Sequence, residues 1–190
     1  MKIYFIKMML VVLIITSFTN IYIKKNEQKV LITNIVENKL AYNSIIPENI
    51  YFEEVVYEDL TLNELGIKID TMFSSSLSGY GQKVASIALE KEVDPIVAAS
   101  IILVETGCQS NCSKLVKSCN NVGGMKGKGG CGSYAKFNSL ELGIEAFINN
   151  LSKNYYKKGL NTPELINKKY ATNPNWHKNV NYYVKKIKAS

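Results

Sequence analysis

Val93 to Gly107 reads VDPIVAASIILVETG, and this stretch decides the fold. Asp94 offers a side-chain acceptor to the free amides of a helix's first turn, and Pro95 suits the first helical position, where no N–H donor is needed. From Ile96 to Val104 the residues are apolar on every face, as in a helix buried at the centre of a domain. Gly107 then provides the left-handed position that closes such a helix. One carboxylic acid, Glu105, stands at its end.

Helical spacing extends to both sides. Tyr80, Val84, Ile87, Ala88 and Lys91 recur every three or four residues, which predicts an amphipathic helix ending near Glu92. Downstream, Gly123 to Gly132 is rich in glycine and leads to Tyr134–Phe137, read together as a short β-hairpin. The stretch is not a phosphate loop: Gly123 to Lys128 is one residue short, and Gly129 stands where Ser or Thr is required. Ser139 caps a helix with Leu140, Ile144, Phe147, Ile148 and Leu151 on one face. Thr162-Pro163 opens another, and a last one from about Asn175 carries Trp176, Val180, Tyr183, Val184 and Ile187. The fold class is therefore mainly α with a small β-hairpin lobe.

The N-terminus differs in kind. Met8 to Ile23 is strongly apolar and flanked by Lys2, Lys7, Lys24 and Lys25. As a helix it would span ~24 Å at ~1.5 Å per residue, slightly short of a ~30 Å hydrocarbon core. Residues 1–25 are read as a transmembrane signal anchor or a signal peptide, with the anchor preferred because no small-x-small cleavage site stands out. Residues 26–76 read as a stalk, since Pro47 and scattered acids break any sustained period, and the Ser-rich stretch Ser74–Gly79 marks a boundary. The main folded domain is expected over 77–190, held to the membrane by the N-terminal segment or secreted.

Charge follows the same division. Residues 1–76 hold 7 lysines against 9 acids, whereas 77–190 hold 16 lysines against 7 acids. A basic C-terminal half implies an anionic partner. All 23 basic residues are lysine, and the lack of arginine argues against nucleic acid, whose recognition favours bidentate guanidinium contacts.

Cys108, Cys112, Cys119 and Cys131 follow an export-like segment in even number, which predicts two disulfides of open connectivity. Their spacing contains no C-x2-C zinc knuckle, and His177 is the only histidine, so neither a metal nor another cofactor is expected. A cysteine nucleophile is disfavoured too, because Cys108 follows a helix C-terminus, where the dipole opposes a thiolate. Glu105 is the best candidate for chemistry. Burial and the helix C-terminus both disfavour its anion, keeping it protonated as a general acid requires. The competing reading is an exposed glutamate at a frayed helix end.

Four stretches in order, VDPIVAASIILVETG, NNVGGMKG, FNSLELGIEAFINNL and KKYATNPNW, resemble the glucosaminidase family of the lysozyme superfamily, glycoside hydrolase family 73, close in fold to the lytic transglycosylases. The similarity covers roughly residues 77–190. It implies a lysozyme-like domain, acting as a monomer, that cuts peptidoglycan glycan strands, with Glu105 as catalytic acid and Tyr170 beside it. It also implies a substrate cleft along Asn121 to Gly127, including Asn121, Gly124, Met125 and Lys126. Tyr134 and Trp176 are candidate sugar platforms, Trp176 alternatively core. Cys119 and Cys131 flank the glycine-rich segment, and a bridge between them would restrain it.

One departure matters. Many members carry a second carboxylate in the hairpin region, yet no acid lies between Glu105 and Glu141. An inverting hydrolase needs a base at ~6.5–9.5 Å and a retaining one a nucleophile at ~5 Å. Glu141 and Glu145 serve only if the fold brings them across the cleft. Otherwise two single-acid routes remain, attack by the substrate's acetamido group or by its own 6-hydroxyl. The non-enzymatic alternative is a wall-binding or assembly module that kept the groove without the chemistry.

Overall fold

A computed structural model describes residues 54–190. In chain order these form β1 (Val55–Tyr57), β2 (Leu60–Thr61), α1 (Leu62–Asp70), a 3-10 turn at Ser75–Leu77, α2 (Gly81–Glu90), α3 (Pro95–Thr106) and α4 (Lys114–Cys119). There follow β3 (Lys126–Cys131), α5 (Leu140–Asn154), a second 3-10 turn at Tyr156–Lys158, α6 (Pro163–Tyr170) and α7 (Trp176–Ala189).

The stretch around Asp94 behaves as its chemistry dictates. Asp94 accepts the Val97 amide at 2.9 Å, and Gly107 closes α3 at φ 66° with its own amide on the Leu103 carbonyl. Between them Ile96, Ala98, Ala99, Ile101, Ile102 and Leu103 are buried. At roughly 1.5–3 kcal/mol for each large side chain withdrawn from water, α3 is the element that the others gain most by covering. α7 and α2 pack directly on it. Ser139 and Thr162 cap α5 and α6 through the amides of Leu142 and Leu165. β3 folds back on itself through Gly127 N–H to Ser133 O (3.1 Å) and Ala135 N–H to Met125 O (2.9 Å), which makes the small hairpin.

The structure corrects the sequence reading in two places. Residues 54–76, expected as stalk, lie within the folded unit: Leu65, Ile69 and Phe73 are buried in the common core. α1 opens with a capping box in which Thr61 accepts the Glu64 amide and the Glu64 carboxylate accepts the Thr61 amide. Gly66 in mid-helix argues against a helix by propensity, but the crossing with α2 explains it. A Cβ on the facing Gly81 would lie 2.2 Å from the Gly66 carbonyl, so the two backbones touch where side chains have no room.

The second correction concerns the membrane. The segment over residues 1–25 lies outside the described residues, and among the described residues no helix is long and apolar enough to cross a membrane. The architecture found is the mainly α domain with its hairpin. The transmembrane element and the membrane attachment expected through it are withdrawn.

If α1 is part of the core, Ile69→Ala in the intact chain lowers unfolding stability by about 2–5 kcal/mol in denaturant titration. A stalk residue would change it by less than about 0.5 kcal/mol.

Candidate active site

Glu105 lies in the last turn of α3, partly buried. Burial raises its carboxyl above the ordinary range, and a hydrogen bond from Trp176 pulls in the opposite direction with the smaller effect. No second carboxylate contributes to the shift. The indole Nε1–H of Trp176 donates to Glu105 Oε1 at 3.0 Å. Trp176 is the first residue of α7, so α3 and α7 meet at this contact as well as through their apolar faces.

Tyr170, the last residue of α6, stacks on Trp176 with ring centroids 4.7 Å apart and planes 27° from parallel. Tyr155 lies tilted against Tyr170, with ring centroids 5.7 Å apart. The Tyr170 hydroxyl donates to the Gly123 carbonyl at 3.3 Å. Burial first, then the neighbouring charges of Glu105 and Tyr155, push this phenol far above its usual value, so it stays neutral.

The third wall is the loop from Asn121 to Met125. Asn121 is 1% exposed, and its amide holds the loop from inside. Nδ2 donates to the carbonyls of Met125 and Ala135, both at 2.9 Å. Oδ1 accepts the amides of Gly123 at 3.3 Å and Met125 at 3.0 Å. Gly123 is pressed against Phe147, where a Cβ would fall 2.1 Å from a ring carbon. Gly124, at φ 61°, faces the free oxygen of Glu105: a Cβ there would stand 3.7 Å from Oε2. Two disulfides brace this region, Cys108–Cys112 just beyond α3 and Cys119–Cys131 joining α4 to β3. All four cysteines are bonded, which removes the thiol nucleophile considered from sequence.

The structure thus brings Glu105, Gly124, Tyr170 and Trp176 together and reassigns several expected contacts. Asn121 was expected to line the substrate cleft, but all four of its hydrogen-bonding positions are spent on the loop and the hairpin. Trp176 is 6% exposed with a face against Tyr170, so it is not an open sugar platform. Tyr134 faces Lys126 across the hairpin, and the ammonium sits 3.8 Å over its ring, which occupies one face. Met125 is partly buried against the core. Glu141 is exposed and accepts the Tyr80 hydroxyl at 2.8 Å, and it does not contribute to the Glu105 shift. Glu145 is exposed beside Phe137, Leu142 and Ala146. Tyr155 and Phe147 were not anticipated in the site. Both belong to helix α5 or its end, and no local motif distinguishes them from ordinary core residues.

A family model described as Glucosaminidase, Mannosyl-glycoprotein endo-beta-N-acetylglucosaminidase, matches residues 80–189. No curated protein matches the chain.

Asn121→Ala strips partners from two amides and two carbonyls at once. It is expected to lower stability by about 2–3 kcal/mol and to speed hydrogen exchange at the Met125 amide. Unchanged exchange there would show that the loop holds its shape without the side chain.

Proposed function

The chain belongs to the glucosaminidase family, and from that premise we propose that it cuts bacterial peptidoglycan after N-acetylglucosamine, with Glu105 as the proton donor. The observation that carries this reading is a lone carboxyl, raised by burial, with one oxygen held by Trp176 and the other facing a glycine. A general acid must be protonated at the working pH and must reach the leaving oxygen, and this arrangement supports both.

With no second acid acting on Glu105, the step that fits is substrate-assisted. Glu105 gives its proton to the glycosidic oxygen as the C1–O bond breaks. The carbonyl oxygen of the 2-acetamido group closes on C1, forming an oxazolinium ion. Water then adds to C1 and its proton returns to the Glu105 carboxylate, restoring both the acid and the acetamido group. Tyr170, neutral and bound to the Gly123 carbonyl only at the long end of hydrogen-bond range, is the donor proposed to orient the acetamido group. Gly124, Met125 and the hairpin side chains Lys126 and Tyr134 would border the strand.

The surroundings agree with such a substrate. Two disulfides suit an oxidising space outside the cytoplasm, where the wall lies. The excess of lysine over residues 77–190 suits a wall rich in carboxylate and phosphate.

Glu105→Gln should reduce lysis of purified sacculi by at least 10²–10⁴-fold while leaving binding to them nearly intact. Because Glu105 acts protonated and burial raises its carboxyl, activity should persist above the range of a free glutamate and fall as pH rises through the shifted value. Unchanged lysis by the Gln variant would remove Glu105 from the mechanism. Binding without lysis by the unmodified protein would favour the wall-binding module.

A further inference from the structure

Trp176 is the only tryptophan in the chain, and its indole N–H reaches one specific oxygen of Glu105. An indole N–H only donates, so Oε1 must accept. In a neutral carboxyl the carbonyl oxygen is the better acceptor, and the proton rests on the other oxygen. Stacking on Tyr170 and burial keep the ring in place. Oε2 has no hydrogen-bond partner among the described residues, and in front of it stands Gly124, without a side chain.

We propose that Trp176 is a positioning residue that places the transferable proton of Glu105 on Oε2 and aims it at the space before Gly124. The assignment rests on Glu105 being the acid of the proposed reaction. Any side chain at position 124 would come into contact with Oε2, so glycine leaves that oxygen open to the leaving group.

Few ionisable groups face this carboxyl. Tyr170 of α6 feels its charge and stays neutral, with Tyr155 in ring contact with Tyr170. His177, next to Trp176, turns its Nδ1 to Asn167 Oδ1 at 2.9 Å. Tyr183 of α7 gives its hydroxyl to Gln109. Lys83 and Glu90 of α2 are exposed. On α1, Glu64 is held by its cap, Lys68 reaches the Lys188 carbonyl, and Asp70 takes the amides of Gly79 and Gly81. α3 carries no other charged residue.

The single indole is therefore a built-in reporter. When Glu105 ionises, the bond from Nε1 becomes charge-assisted and stronger, which alters the emission of Trp176. In the intact oxidised protein, emission followed against pH should show one transition at the alkaline limb of lysis. Glu105→Gln should abolish that transition, and His177→Gln should retain it. Trp176→Phe removes a contact that favours the carboxylate, so its alkaline limb should move to higher pH. Its kcat should fall about 10- to 100-fold with little change in KM, as misdirection of a catalytic group does. A transition that survives Glu105→Gln overturns the proposal, as does a Trp176→Phe enzyme with unaltered limb and kcat. The optical measurement needs no substrate. A Glu105-dependent transition without glycan release would support the contact and sink the reaction instead.

Discussion

α3 is apolar on all sides, and that constraint organises the rest of the domain. A helix with one apolar stripe needs one neighbour, whereas this one must be covered all round. α2 and α7 lie on it directly, with α1 crossing α2 and α6 packed on α7. Glu105 stands in the last turn, partly covered, between half-buried Val104 and buried Thr106. The same burial that stabilises the core thus penalises the carboxylate form of Glu105.

Around that carboxyl, precision comes from polar contacts. Asn121 fastens the loop to itself and to the hairpin with four hydrogen bonds, and the Cys119–Cys131 bridge closes the same segment covalently. Gly123 lets the loop settle on Phe147, and the Tyr170 hydroxyl meets its carbonyl. Such a loop needs little reorganisation when charge moves, the condition under which fixed dipoles help a reaction most. The aromatic series Tyr155, Tyr170 and Trp176 carries this order from α5 and α6 to the acid.

Much of the fold was legible because its signals are local. Asp94-Pro95, Ser139 and Thr162-Pro163 each announce a helix start through side-chain chemistry within three residues, and Gly107 marks an end in the same way. α1 was missed because Gly66 weakens its propensity, and the compensating contact with Gly81 lies across a turn. The candidate site was legible in its carboxyl, whose role as the acid is the proposal made above, and not in the residues around it. Glu105 is conspicuous as the charge closing an apolar run, but the donor that holds it is 71 residues away. Trp176 and Asn121 have the composition expected of sugar contacts, and only the fold shows that one is committed to the acid and the other to the loop.

The central claim is that one carboxyl, helped by the substrate's own acetamido group, cuts the glycan strand. Mass spectrometry of the muropeptides released from purified peptidoglycan by the oxidised protein tests it most directly. The account predicts fragments with reducing N-acetylglucosamine ends. Anhydro-muramic acid ends would contradict it by showing that the sugar's 6-hydroxyl is the nucleophile, and no release at all would contradict catalysis itself.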